Sequence, residues 1–89
     1  MLVHIRAFAS FREHLGEETD LDVGVGSTVG DLLETLVSSH QGLRPAIFED
    51  EGRVREYVII MRNRERIDGL ATVLADGDEI AILPPVSGG

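Results

Sequence analysis

Between Thr28 and Gly42 the chain carries its clearest helical repeat, with Val29, Leu32, Leu33, Leu36 and Val37 recurring at i, i+3, i+4, i+7 and i+8. That spacing gathers the apolar side chains into one stripe along a helix. Thr28 can cap the start, Asp31 stands three residues on in the first turn, and Gly42 lies just past the end. A helix with a single apolar face cannot bury itself. In a chain of 89 residues, with room for one core, it needs a sheet laid across that face.

The rest of the chain supplies that sheet. LVHIRAF, residues 2–8, alternates, with Val3, Ile5 and Ala7 on one face and His4 and Arg6 on the other. Phe8, Phe11, Arg12 and Leu15 then take helical spacing and stop at Gly16. TDLDVGV, residues 19–25, alternates again, with Leu21, Val23 and Val25 expected inward. RPAIFEDEGRVRE, punctuated by Pro45 and Gly52, reads as a loop with one irregular turn. YVIIM, residues 57–61, is a short apolar strand, RERI a brief edge strand, and ADGD a tight turn. The last strand is EIAIL, whose Ile80 and Ile82 share a face and leave Ala81 and Leu83 on the other. The expected fold is α+β, a mixed sheet of four or five strands wrapped around one main helix. Residues 1–83 form the domain and residues 84–89 a flexible tail.

Composition narrows the function. The chain has no cysteine, which removes thiolate ligands, a cysteine nucleophile and disulfides. Its formal charge of −8 argues against a nucleic-acid partner, because phosphate binding relies on clustered cations. All eight basic residues are arginine. No apolar run approaches the roughly 20 residues that span a bilayer, and MLVHIRAF lacks the layout of a signal peptide, so a cytoplasmic protein without a membrane partner is expected.

No motif in the body of the chain builds an active site. GVGSTVG, residues 24–30, is one residue off the dinucleotide fingerprint, and the chain is too short for the doubly wound sheet that motif serves. It reads as a glycine turn before a helix. DGDE, residues 76–79, lacks the remainder of a calcium loop and reads as a turn. The acidic run EDE, residues 49–51, reads as a solvated face. His4, His14 and His40 have no metal-ligand spacing, and no nucleophile elbow arranges a serine. The chain is therefore expected to be no enzyme on its own and to bind no cofactor or metal.

The tail, PPVSGG, is where chemistry remains possible. Pro84 and Pro85 fix two φ angles and favour an extended launch away from the last strand. Six residues from Pro84 can reach about 20 Å. Glycine passes through narrow channels and leaves a terminal carbonyl unhindered. A carboxylate at Gly89 is a poor electrophile, so it needs activation. Adenylation by ATP would convert it to a mixed anhydride, and with no nucleotide loop in this chain a partner enzyme must supply that step.

FASFREHLG, GSTVGDLLETL and above all LADGDEIAILPPVSGG resemble the ubiquitin-like sulfur-carrier family. That family takes in the molybdopterin-synthase small subunit, its thiamine-pathway relative and the small archaeal modifier proteins. The resemblance spans the chain, is weakest across residues 43–56, and implies a β-grasp fold. It also implies that Gly89 is adenylated by a ubiquitin-activating-type adenylyltransferase, becomes a thiocarboxylate, and gives its sulfur to a pterin precursor on the large synthase subunit. Val86, Ser87 and Gly88 would thread the partner's channel, Pro84 and Pro85 would launch the arm, and Leu83 with Ala81 would dock. RNRERI, residues 62–67, is more basic than the family's usual segment, which puts an apolar contact near Arg66 in question. The alternative reading is a protein modifier joined through Gly89 to lysines of target proteins. A plain binding module with an inert tail is the third. Pterin, thiamine and tRNA sulfuration are not separable from sequence.

Overall fold

Alternation decides what the first strand buries. In the computed structural model, which describes residues 1–8, 11–49, 53–55, 58–67 and 69–83, β1 (Leu2–Ala7) turns Val3, Ile5 and Ala7 into the core. A one-turn helix α1 (Arg12–Leu15) buries Phe11 and Leu15 and ends at Gly16, whose N–H donates to the Arg12 carbonyl at 2.8 Å. Phe8 lies before this helix rather than in it. β2 (Glu18–Asp22) returns antiparallel to β1, pairing Val3 with Leu21 and His4 with Asp20.

The expected strand over residues 19–25 stops at Asp22, and Val25 is 92 % exposed instead of inward. The chain turns there, with the Ser27 N–H bonding the Gly24 carbonyl and Gly26 at φ 88°, a conformation closed to most side chains. The turn delivers α2 (Val29–Ser39), which buries the expected stripe of Val29, Leu32, Leu33, Leu36 and Val37. Its start is a capping box. The Asp31 N–H donates to Thr28 Oγ1 at 3.2 Å, and the Thr28 N–H donates to Asp31 Oδ2 at 3.0 Å.

The next two N–H groups are also taken. Val29 donates to the Thr72 carbonyl and Gly30 to the Leu70 carbonyl, both at 2.9 Å. A Cβ at position 30 would meet the Leu70 backbone oxygen and Cβ at 3.3 Å, so GVGSTVG is explained by a turn and a close chain crossing. Those donors are spent within the fold and are not offered to a phosphate.

His40 closes α2, and Gly42 falls inside a 3-10 turn (Gln41–Leu43). The segment expected as loop then forms a further helical turn, α3 (Arg44–Ile47). Pro45 starts it, since the first helical turn needs no N–H donor. β3 (Ile59–Arg62) begins two residues later than expected; Tyr57 lies outside the described residues. Asn63 and Arg64, at φ 51° and 71°, turn the chain into the two-residue edge strand β4 (Glu65–Arg66). β5 (Glu79–Leu83) completes a five-stranded mixed sheet in the order β2-β1-β5-β3-β4. It runs parallel to β1 and antiparallel to β3. The fold is the expected α+β arrangement, with Ile5, Ile80 and Ile82 packed under Leu32, Leu33, Leu43 and Ile47 in one core.

Asp78, at the entry to β5, is the one buried charged residue among those described. Its Oδ2 accepts from Arg62 Nε and the Ala75 N–H, each at 2.8 Å, and its Oδ1 accepts from Asn63 Nδ2 at 2.9 Å. The DGDE turn is thus a lock between the β3–β4 turn and the start of β5. Among the described residues no group of His, Asp and Glu is arranged to hold a metal ion, and no helix is long and apolar enough to cross a membrane.

Candidate functional site

β5 lies between β1 and β3 and leads directly into the tail. The tail residues Pro84, Pro85, Val86, Ser87, Gly88 and Gly89 lie outside the described residues. Ile80 and Ile82 are fully buried, and Ala81 and Leu83 are half-buried on the other sheet face, as the alternation predicts. Register then adds neighbours that sequence reading missed. Ile59 on β3 stands opposite Leu83, and Met61 stands opposite Ala81. Both are half-buried, so the outer face of the sheet carries an apolar patch of Ile59, Met61, Ala81 and Leu83 beside the start of the tail.

Two cations border this patch. Arg6 pairs with Ala81 from the β1 side, and its guanidinium lies 5.5 Å from the centre of the Phe8 ring. Its Nε is buried with no hydrogen-bond partner among the described residues, 3.9 Å from a Glu18 carboxylate oxygen. On the far side Arg66 stands opposite Met61 and is exposed, so a cation occupies the place where an apolar contact was in question.

Beyond Arg6 the outer face becomes acidic, with Glu18, Asp20, Asp22 and Glu79 around His4. His4 Nδ1 lies 2.6 Å from Asp20 Oδ1 and Nε2 lies 3.0 Å from Glu18 Oε1. With a carboxylate at each ring nitrogen the imidazolium is favoured. The hydrogen bond with Asp20, then that with Glu18, raises the ring's pKa above its ordinary value of 6.5, against a smaller opposing effect of desolvation. The sheet's outer face is therefore divided, apolar over β3 and the end of β5 and charged over β1, β2 and Glu79 at the start of β5.

Chains of this kind are already known. Small archaeal modifier protein 3 of Haloferax volcanii is 39 % identical over the whole of both chains. The molybdopterin synthase sulfur carrier subunit of Drosophila yakuba is 38 % identical, over 98 % of this chain and 90 % of that protein. The crystal structure of small archaeal modifier protein 1 from Haloferax volcanii superposes with a TM-score of 0.90 at 37 % identity, covering all of both chains. The ThiS family model matches residues 5–89. On the whole length of the fold and of the sequence, this chain belongs to the ThiS family of ubiquitin-like sulfur carriers.

Proposed function

We propose that this protein carries sulfur as a thiocarboxylate on Gly89 and donates it in molybdopterin synthesis, as the small subunit of a molybdopterin synthase. The observation that carries the reading is the apolar patch of Ile59, Met61, Ala81 and Leu83 on the strand pair that leads into the tail. A partner seated there has the base of the arm at its surface, and an arm of six residues reaches about 20 Å into it. The Gly89 carboxylate attacks the α-phosphorus of ATP on an adenylyltransferase of the ubiquitin-activating type and releases pyrophosphate. A sulfur nucleophile then opens the acyl adenylate and releases AMP. The large synthase subunit next receives the arm, and the sulfur passes to the pterin precursor. This chain supplies the carrier group and the docking face, and both partners supply the catalytic residues.

The test is intact mass. Incubated with its adenylyltransferase, ATP and a sulfur source, the protein should gain the mass of one oxygen-to-sulfur exchange, and a chain lacking Gly88 and Gly89 should not. An unchanged mass under those conditions refutes the proposal.

A second reading is favoured by the end-to-end similarity to a protein named a modifier. Here a lysine amine of a target protein takes the acyl group of the same adenylate, forming an isopeptide bond at Gly89 as AMP leaves. Because Arg66 is the last arginine and the chain has no lysine, trypsin would leave residues 67–89 on the modified lysine. Absence of that remnant from cells lacking the matching protease would count against conjugation.

A further inference from the structure

The β3–β4 edge holds a cavity of about 360 Å³ on the core side of Ile60, and its lining reaches Arg66, which also borders the outer face just described. Val29 at the start of α2, Ile60 on β3, and Val54, Val58, Ile67 and Leu70 give it an apolar lining. Arg53, Arg55 and Arg66 also line it. Its size is at the low end of ligand pockets, which run from about 300 to 1,000 Å³, and suits one or two side chains.

Charge makes this place unlike the rest of the molecule. Acidic residues outnumber basic ones by 16 to 8 over the chain, yet three arginines, Arg53, Arg55 and Arg66, line this one cavity, with Arg53 paired to Glu49 at 3.7 Å. Arg55 Nε donates to the Pro45 carbonyl at 2.7 Å, which holds the stem of that side chain beside the cavity. Among the described residues the Arg66 side chain makes no hydrogen bond or ion pair. The cavity also opens beside β4, the edge strand of the sheet, beyond which no further strand pairs among the described residues.

We infer that this cavity docks an acidic segment of a partner protein that inserts one apolar side chain, with its carboxylates against Arg55 and Arg66. An apolar anchor among carboxylates matches both the lining and the rim. The net negative charge of the remaining surface disfavours such a segment over most of the molecule, which directs it to this edge. Ile60 faces the core side of the sheet while Leu83 and Met61 face the other. The site does not involve Gly89, and a chain without Gly88 and Gly89 should bind equally well.

The probe is an amidated peptide of sequence EDLFED, titrated into the full ¹⁵N-labelled chain to about 1 mM, the weak end of specific binding. Amide shifts should be confined to residues 53–55, 58, 60, 66, 67, 69 and 70. Arg66→Glu, which breaks no side-chain hydrogen bond or ion pair among the described residues, should weaken binding by about tenfold, and so should Arg55→Glu. A peptide with Lys and Arg flanks, KRLFRK, should bind Arg66→Glu better than the parent chain. Raising the salt should weaken EDLFED, because exposed charges are screened within about 10 Å at 0.1 M. The inference is overturned by no shifts at the highest peptide concentration, by shifts centred on Ile59, Met61 and Leu83, or by equal binding of a polar EDGSED control. Shifts that depend on protein concentration alone would assign the cavity to a second copy of this chain and overturn it as well.

Discussion

Replacing Asp78 tests how the strand that leads into the tail is held. The Asp78 side chain is 7 % exposed and that of its partner Arg62 31 % exposed. Burial by itself pushes the Asp78 carboxyl up. The hydrogen bonds from Ala75, Asn63 and Arg62, with the Arg62 charge, outweigh burial and hold it below its ordinary value of 3.8. Asp78→Ala leaves one guanidinium, one amide and one backbone N–H facing a void. Breaking a buried ion pair from one side costs about 3–5 kcal/mol, and partial rehydration of Arg62 brings the expectation to about 3 kcal/mol. Domains of this size are stable by only about 5–13 kcal/mol, so the loss is a large share.

Asp78→Asn is nearly isosteric and sharper. One oxygen becomes an NH₂, which must face either Asn63 Nδ2 or the pair of donors on Oδ2. Asn63 cannot relieve the clash by turning over, because its Oδ1 already accepts the Glu79 N–H at 2.9 Å. A loss of about 2 kcal/mol is expected. Urea unfolding followed by far-UV circular dichroism measures both variants, with the slope against urea unchanged. Because the folded pKa is depressed, the carboxylate's contribution is present above the unfolded value of about 3.9 and is lost as pH falls through the folded value. The Asn variant should therefore show a flatter loss of stability in acid than the parent. A loss below about 1 kcal/mol in both variants refutes the view of Asp78 as a lock.

Three further outcomes are expected. Thr28→Ala removes half of the capping box and should cost about 1 kcal/mol, lowering Tm by about 4–8 °C; an unchanged Tm would mean the cap is redundant. His4 should titrate above 6.5 by NMR, and Asp20→Asn should bring it down. Since its folded pKa is raised, its contribution to stability is full below 6.5 and fades as pH rises through the folded value, so a titration at or below 6.5 would contradict the paired geometry. Leu83→Asp, on the half-buried outer face, should leave the fold intact and slow thiocarboxylation by roughly tenfold or more; an unaffected rate would remove this face from docking.

How much of this was legible depends on whether a residue's surroundings are announced by its neighbours in sequence. α2 was readable to its cap because one face is apolar and the other is not, and Thr28 with Asp31 marks the start locally. β5 was readable for the same reason, with Ile80 and Ile82 between half-exposed neighbours. β3 was not. Its run of apolar residues has no alternation, since Ile60 serves the core while Ile59 and Met61 serve the outer face, so half of the docking patch was invisible until pairing with β5 assigned sides. The parallel β1–β5 pairing joins the two ends of the domain and has no local signal at all. Pro45 concealed α3 because proline begins a helix as readily as it breaks one. Asp78 looked like an ordinary turn residue, and only the β3–β4 turn, brought alongside from 15 positions away, makes it a buried acceptor. The β3 case bears most on function: where both faces of a strand are apolar the period is erased, and β3 carries half of the outer face on which a partner would bind.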